Sequence, residues 1–347
     1  MLHNAATVRS PSFPPAVAAT RFTCAASRRP PSRGVQQKQT PPAPYGPARR
    51  VGAKPGSAEG ISNEGEGPAR RPTVLITGCS SGFGAAAAQH FAARGWNVAA
   101  TMRRTAGGAA LAALDHVHVS RLDVEDRESV DRAVAGTIAR FGGIDVLVNN
   151  AGFGLFGIFE GQPREKIQEQ FDVNLFGAMD VTRAVLPHFR ARRSGVIVNI
   201  SSGAGVFGLP MTSLYAASKF ALEGFSESLS YELASLGIVV KIVEPGGVND
   251  TSFGRRSGAE FASSVAPADY LPFIRAAGDV FAQLRASRAG ATSEQVARVI
   301  FEAATDGTDQ LRYVATDDIG PWVAARRETS ETAYMAFMRA QVAPRLD

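Results

Sequence analysis

The sequence predicts an α/β protein built on an open, doubly wound parallel sheet of about seven strands with helices on both faces. After residue 71, short runs rich in Val, Ile and Leu alternate with longer stretches of helical composition. Strands that are apolar throughout indicate a sheet covered on both faces, as parallel sheets are. The 276 residues that follow position 71 (347 minus 71) are enough to bury such a sheet in a single domain.

The predicted strands are short apolar runs bounded by turn-forming or charged residues. They cover residues 73–77, 97–101, 117–124, 145–148, 196–200, 238–243 and 312–315. Composition and spacing predict helices over residues 85–93, 109–114, 127–140, 163–190, 213–236 and 325–342. Ligands of such sheets bind beyond the carboxyl ends of the strands, so we expect the informative residues where strands end.

Charge and composition separate residues 1–71 from the single domain predicted over 72–347. The first segment holds 11 Lys and Arg residues and 3 acidic residues, which gives a net charge of +8. The remaining residues hold 26 Lys and Arg and 29 acidic residues, which gives a net charge of −3. We predict that this Pro- and Arg-rich extension is disordered, because it cannot bury enough apolar surface to offset its ordering entropy. Its composition is also typical of a transit peptide, with an untargeted extension as the alternative. The predicted location is therefore cytoplasmic, or a plastid or mitochondrion if the segment is targeting.

Several other function classes find no support in the composition. The mildly acidic domain does not favour binding of nucleic acid. Two Cys and five scattered His offer neither a disulfide framework nor the spacing of metal ligands, so no metal is predicted. No run of 18 or more apolar residues occurs, so no transmembrane segment is predicted.

A glycine-rich turn, residues 77–84, follows the first predicted strand and leads into a helix. Glycines permit a tight turn and close approach to a diphosphate, and a helix N-terminus offers free N–H groups. The spacing G-x3-G-x-G differs from the G-x-G-x-x-G fingerprint of many dinucleotide-binding folds, and the turn lacks the G-K-[ST] ending of a nucleoside-triphosphate P-loop. A glycine-rich turn with a purely structural role is the alternative. The expected cofactor contacts in this turn are Gly78, Ser80, Ser81, Gly82, Phe83 and Gly84.

Two arginines, Arg103 and Arg104, follow the second predicted strand. In a dinucleotide-binding sheet an acid at this place binds the ribose 2′-hydroxyl of NAD, whereas an Arg accommodates the 2′-phosphate of NADP. Because no acid is present, we predict NADP rather than NAD, with Arg103 as the first contact. A solvated loop with two positive charges is the alternative.

Tyr215 and Lys219 lie four residues apart in the helix predicted over 213–236. Such residues share one helix face. A Lys beside a Tyr favours the phenolate and lowers a pKa that starts near 10, which makes Tyr215 a candidate acid/base. The spacing alone also arises by chance on solvated helix faces.

Together these motifs resemble the short-chain dehydrogenases/reductases, in particular the compact single-domain branch of that family. The resemblance covers about residues 73–250 and is specific, because several separate motifs agree in order and spacing. The matching positions are Gly78, Gly82, Gly84, Asn149, Asn150, Ala151, Gly152, Asn174, Ser202, Tyr215, Lys219, Pro245 and Gly246.

The resemblance implies a role for each residue of the active site. Tyr215 resembles the catalytic acid/base, and Lys219 the residue that lowers its pKa and binds the nicotinamide ribose. Ser202 resembles the hydroxyl that polarises the substrate carbonyl, and Asn174 the residue that holds a relay water. Further implied cofactor contacts are Asp123, Val124, Asn150, Ala151, Gly152, Pro245, Gly246, Val248 and Thr251. Gly247 and the pair Asn249 and Asp250 depart from the family pattern just before Thr251.

Apolar side chains follow both Gly152 and Ser202 and recur in residues 252–290, which we predict to form a mobile lid with helical parts. An apolar pocket suits a lipophilic ketone, aldehyde or alcohol, although ordinary core packing is the alternative for each aromatic residue. The sequence pattern of these apolar segments also resembles that of steroid- and retinol-dehydrogenase-like members of the family.

We therefore predict an NADP-dependent oxidoreductase that transfers hydride between nicotinamide and a lipophilic carbonyl or alcohol. A non-catalytic NADP-binding sensor and a sugar-nucleotide epimerase or dehydratase are the alternatives. The predicted helices 163–190 and 213–236 resemble those through which family members dimerise, so a homo-oligomer, either dimer or tetramer, is expected.

Overall fold

The computed structural model describes residues 70–263, 265–287 and 291–345. Apart from Arg70 and Arg71, the predicted extension lies outside the described residues. The Arg70 guanidinium pairs with the carboxylate of Asp145 at 2.6 Å. Asp145 also accepts a hydrogen bond from the backbone N–H of Thr73. These contacts fix the chain just before its first strand.

The described chain forms one parallel sheet of seven strands, as predicted. The strands are β1 (Thr73–Ile76), β2 (Asn97–Met102), β3 (Val117–Arg121), β4 (Val146–Asn149), β5 (Gly195–Ile200), β6 (Ile238–Glu244) and β7 (Arg312–Val314). Their order is β3-β2-β1-β4-β5-β6-β7, and every neighbouring pair is parallel. The winding direction reverses between β1 and β4, which places a ligand crevice at the carboxyl ends of those strands.

Helices cover both faces of this sheet. They are α1 (Gly82–Ala93), α2 (Ala109–Ala112), α3 (Arg127–Phe141), α4 (Arg164–Phe171), α5 (Gly177–Arg192), α6 (Ser213–Ala234), α7 (Phe253–Ser263), α8 (Leu271–Ser287), α9 (Ser293–Thr305), α10 (Gly320–Glu328) and α11 (Glu331–Val342). Phe91 of α1 and Ile300 of α9 are buried against one face. Val134 of α3, Val185 of α5 and Leu229 of α6 are buried against the other. Two apolar layers therefore enclose the sheet, as the continuous apolar strands require.

Two predicted helices are interrupted. The segment predicted as one helix over 163–190 consists of α4, a π-helical turn (Asp172–Phe176) and α5. The segment 325–342 is divided between α10 and α11, because the Ser330 hydroxyl accepts from the Ala333 N–H and begins a new helix. Single π-helical turns inside helices are frequent at functional sites, so the turn before α5 is a candidate part of such a site.

The region predicted as a lid contains α7 and α8, and its mobility remains a prediction. The chain then forms α9, a helix absent from the sequence analysis, in which the Thr292 hydroxyl caps the N-terminus by accepting from the Gln295 N–H. Its apolar face packs on α1 and closes the layer beside β6. No helix in the described ranges is both long and apolar enough to cross a membrane.

Candidate active site

The strand ends meet at a cleft of about 1160 Å³ along the carboxyl edge of the sheet. Most of the residues predicted for the site line it. They are Gly78, Ser80, Ser81, Gly82, Phe83, Arg103, Val124, Asn150, Ala151, Gly152, Ser202, Tyr215, Lys219, Pro245, Gly246, Val248 and Thr251. Gly84, Asp123 and Asn174 do not line the cleft.

The glycine-rich turn between β1 and α1 is closely packed against the end of β4. Gly78 has φ +75°, and a Cβ there would lie 2.9 Å from the Cα of Ala151. A Cβ on Gly84 would lie 2.5 Å from the Asn150 amide nitrogen. Only glycine fits either place, so Gly84 serves packing of the turn rather than direct contact with a ligand.

The N-terminus of α1 faces the cleft without a side-chain cap. Ser81 is the N-cap residue, yet its side chain makes no capping hydrogen bond, and the first turn of α1 contains no acid. The free N–H groups and the positive end of the helix dipole therefore favour an anion at this place. This geometry fits the diphosphate of a dinucleotide.

The two asparagines after β4 link the neighbouring strand ends through side-chain hydrogen bonds. The Asn150 side-chain amide donates to the carbonyl oxygens of Thr77 (2.8 Å) and Gly78 (3.2 Å). The buried Asn149 amide donates to the Asn199 side-chain oxygen at 2.9 Å. These bonds hold β1, β4 and β5 in fixed register where a flat ligand would cross them.

The end of β2 carries a positive charge beside the cleft. Arg103 and Arg104 both line it. Glu125, which the sequence analysis missed, is the carboxylate nearest to them in the cleft wall, and its pKa is raised by burial and by Asp123, with Arg103 opposing. Asp123 does not line the cleft, and its carboxylate accepts a hydrogen bond from the Glu125 backbone N–H at 3.4 Å. The site therefore presents two guanidinium groups where an NAD-specific site presents an acid.

Helix α6 places Tyr215 and Lys219 on the cleft wall, and both side chains are buried. Burial raises the pKa of Tyr215 to about 12, while the Ser202 hydroxyl opposes the shift. Burial also lowers the pKa of Lys219 to about 8, with Glu223 opposing. The phenol pKa therefore shifts in the direction opposite to the one expected from spacing, because desolvation dominates and the Lys219 amine donates to the Ile200 carbonyl at 2.8 Å.

Asn174 lies in the π-helical turn and is almost fully buried. Its amide donates to the Phe153 carbonyl (2.9 Å) and the Ser218 hydroxyl (3.1 Å), and its oxygen accepts from the Phe153 N–H (3.0 Å). A Cβ on Gly152 would lie 3.1 Å from that oxygen and 3.7 Å from the Lys219 amine nitrogen. Asn174 thus lies close to Gly152, as Lys219 does, and its side chain is engaged by protein groups.

Aromatic side chains enclose the Tyr215 ring. The rings of Phe156 and Phe253 both have their centroids 5.6 Å from that of Tyr215. Phe207 and Phe281, also predicted for the substrate side, line the same cleft. The phenol therefore lies at the end of an apolar chamber.

Helix α7 is held to α4 by an ion-pair network that the sequence analysis did not identify. Arg256 pairs with Glu169 at 2.9 Å, and Lys166 pairs with Glu260 at 3.1 Å. Lys166 also pairs with Glu169 at 2.9 Å within α4. The Arg256 guanidinium lies 3.7 Å from the centre of the Phe153 ring. Because Phe253 belongs to α7, these contacts fix the lid residue that packs on Tyr215.

The loop after β6 is anchored from the far end of the chain. The Gly246 N–H donates to the Thr316 hydroxyl at 2.8 Å, and the Gly247 N–H donates to Asp318 at 3.1 Å. Neither partner was predicted, because no local motif marks a residue that acts from about 70 positions away. At the end of this loop, a Cβ on Gly82 would lie 3.4 Å from the Cβ of Thr251, so the loop closes against the glycine-rich turn.

The chain belongs to the short-chain dehydrogenase family, because the model of that family, "short chain dehydrogenase", matches residues 72–260. An uncharacterized oxidoreductase of Schizosaccharomyces pombe is 36% identical over 242 residues, covering 70% of this chain and 99% of the relative. Bovine retinol dehydrogenase 8 is 38% identical over 274 residues, covering 73% and 84%. Mouse 17-beta-hydroxysteroid dehydrogenase type 1 is 33% identical over 285 residues, covering 77% and 80%. The protein is an oxidoreductase of this family.

Solved structures agree with the fold and with a nicotinamide cofactor. A short-chain dehydrogenase/reductase of Burkholderia phymatum, in complex with NAD, superimposes with a TM-score of 0.64 at 25% identity, covering 79% of this chain and 96% of that one. ElxO with NADP bound gives a TM-score of 0.59 at 25% identity, covering 71% and 97%. The uncapped N-terminus of α1 and the glycine-rich turn fit such a dinucleotide. One of the two solved structures holds NAD and the other holds NADP.

Proposed function

We propose that the protein is an NADP-dependent oxidoreductase that transfers hydride between nicotinamide and a lipophilic carbonyl or alcohol, with Tyr215 as acid/base. The observation that carries the proposal is the position of Tyr215, Ser202 and Lys219 on the wall of the cleft that the glycine-rich turn also lines. When bound, the cofactor supplies the hydride, and the protein supplies orientation and a proton.

The protonation state of Tyr215 favours the role of proton donor. With a pKa of about 12, the phenol is protonated at neutral pH. In the direction of reduction, it would donate this proton to the carbonyl oxygen, on which negative charge develops. The Ser202 hydroxyl would donate a second hydrogen bond to the same oxygen, and two such donors stabilise the transition state.

Lys219 is proposed to bind the ribose of the cofactor beside Tyr215. Its amine is anchored on the Ile200 carbonyl at 2.8 Å, which leaves further N–H donors for the ribose of the cofactor. We assign Asn174 a positioning role, since its side chain holds the backbone at Phe153, the residue after Gly152, through two hydrogen bonds.

The proposed preference for NADP rests on Arg103 and Arg104. Both line the cleft at the end of β2, and an Arg at this place accommodates a 2′-phosphate. The guanidinium geometry matches a phosphate through paired hydrogen bonds.

The proposed substrate class rests on the apolar chamber around Tyr215. Phe156, Phe253, Phe207 and Phe281 provide a wall with few polar groups, which suits a lipophilic body. The names of two relatives, a retinol dehydrogenase and a hydroxysteroid dehydrogenase, support the same class.

Two exposed aromatic residues support the proposed homo-oligomer. Phe176, beside α5, is 47% exposed and Phe220 on α6 is 42% exposed. Large apolar side chains at the surface of these two helices suit an interface with a second copy. Light scattering would measure the mass of the native protein.

A panel of hydrophobic aldehydes, ketones and alcohols tests the proposed function. Nicotinamide absorbance would be followed with the reduced and oxidised forms of both NADP and NAD. We expect reduction of at least one lipophilic carbonyl with NADPH and slower reduction with NADH. Cofactor binding without turnover of any member would favour the sensor alternative.

A further inference from the structure

The charged residues that line the cleft are basic with one exception. Among the described residues of the cleft wall, Glu125 is the one carboxylate, whereas the basic residues are Arg103, Arg104, Lys219, Arg255, Arg256 and Arg285. This excess of positive charge along the wall favours ligands that carry negative charge.

Most of these basic residues already have an assignment. Arg103 and Arg104 follow β2 at the proposed 2′-phosphate site. Arg256 is neutralised by Glu169. Arg255 comes three residues after Ser252, whose hydroxyl contacts that of Ser81 in the glycine-rich turn at 2.6 Å, so the start of α7 borders the cofactor side of the cleft.

Arg285 is left without such an assignment. It lies on α8, one turn after Phe281, and both side chains line the cleft. The neighbouring stripe of α8, Val280 and Leu284, packs on the hydrophobic cluster that contains Phe207. Helix α8 therefore presents Phe281 and Arg285 to the substrate side of the cleft.

Within the described ranges, no ion pair balances the charge of this guanidinium. Within the described part of the chain, Arg285 makes neither a hydrogen bond nor an ion pair. Glu125 interacts electrostatically with Arg103 and Asp123, on the side of β2 and β3. Arg285 is solvent-exposed at the rim of the cleft, and its planar guanidinium matches a carboxylate through two parallel hydrogen bonds.

We propose that Arg285 binds a carboxylate of the substrate, so that the preferred substrate is a lipophilic oxo acid or hydroxy acid. The carbon that gains or loses hydride lies at Tyr215, the apolar body lies against Phe207 and Phe281, and the carboxylate lies at Arg285. The inference rests on the proposed function, because it takes Tyr215 as the reacting end of the cleft.

The test compares a mid-chain oxo fatty acid with its methyl ester, which differ in charge at one end. For the wild-type protein with NADPH, we expect a kcat/KM for the acid about tenfold above that for the ester. Arg285→Met should remove this preference by raising KM for the acid, with kcat little changed, because the contact is remote from the reacting carbon. Arg285→Lys should retain part of the preference.

Arg275→Met is the matched control. Arg275 is exposed on the same helix and does not line the cleft. This variant should keep the wild-type ratio of acid to ester. A wild-type preference for the ester, or an acid preference that survives Arg285→Met, would overturn the proposal.

A binding measurement separates this proposal from the proposed function. The acid and the ester are titrated calorimetrically into the full chain with NADP⁺, which cannot reduce a ketone. Tighter binding of the acid that is lost in Arg285→Met supports the carboxylate site even if no carbonyl is turned over. Equal binding of acid and ester refutes the site even if neutral carbonyls are reduced.

Discussion

The Lys219 amine lies 5.9 Å from the centre of the Tyr215 ring, but its hydrogen bond goes to the Ile200 carbonyl, 2.8 Å away. Burial moves the pKa of Lys219 down to about 8 and that of Tyr215 up to about 12. Desolvation thus favours the neutral form of each group. The phenol is therefore protonated at neutral pH, and the charged amine is held at a cost in stability.

Lys219→Met should stabilise the fold at pH 7. Burial lowers the pKa of the amine from 10.5 to about 8, so keeping it charged in the folded state costs up to about 3 kcal/mol of folding free energy. The variant avoids this cost but loses the hydrogen bond to the Ile200 carbonyl, which reduces the net gain. Between pH 8 and 10.5 the unfolded wild-type chain holds a proton that the folded chain has released, so wild-type stability rises with pH in that window. The difference in unfolding free energy between Lys219→Met and the wild type should therefore become smaller as the pH rises from 8 to 10.5.

Urea unfolding at pH 7 and at pH 10 measures this difference. The variant and the wild type should differ most at pH 7 and least at pH 10. A difference that stays constant between the two pH values would mean that the Lys219 amine does not titrate in this window.

Arg103→Ala should weaken NADPH binding by about tenfold to a hundredfold, the value of one or two hydrogen bonds to a charged group. NADH binding should change little, because NADH lacks the 2′-phosphate. Arg298→Ala, an exposed site on α9, is the control and should leave both affinities unchanged. Fluorescence titration measures both affinities, and unchanged NADPH binding in Arg103→Ala would contradict the assignment.

Glu169→Gln should loosen the lid. This change removes the partner of Arg256 and leaves Lys166–Glu260 to hold α7 against α4. Since a half-buried network contributes more than an isolated surface pair, we expect KM for the carbonyl to rise about threefold to tenfold. Added salt should raise KM in the wild type and have less effect in the variant, because the wild type has more charge pairs to screen.

Glu331→Gln is the control for this effect, since it breaks the Arg326–Glu331 pair between α10 and α11. It should leave both KM and its salt dependence unchanged. Identical salt dependence of KM in wild type and Glu169→Gln would show that the network does not control lid closure.

The sequence predicts the sheet well because its signals are local. An apolar run such as Val74–Ile76 can be recognised without knowledge of its neighbours, and the glycines at 78 and 84 mark a turn whose backbone excludes side chains. The Tyr215 and Lys219 pair is equally local, since helix geometry alone places both on one face.

The rest of the site depends on contacts between distant parts of the chain. Arg256 and Glu169 lie 87 positions apart, and Gly247 and Asp318 lie 71 apart. No pattern within either segment shows that they meet. The direction of the Tyr215 pKa shift was missed for the same reason, because spacing indicates a nearby lysine but not the burial that outweighs it.

Tyr215→Phe tests the central claim most directly. The measurement is single-turnover oxidation of NADPH with the best carbonyl of the panel, together with the Kd for NADPH. We expect the rate to fall by about 10²- to 10⁴-fold, the usual contribution of a general acid, with Kd unchanged. Tyr231→Phe, 74% exposed on the same helix, should behave as wild type. Near-wild-type turnover in Tyr215→Phe would contradict the account.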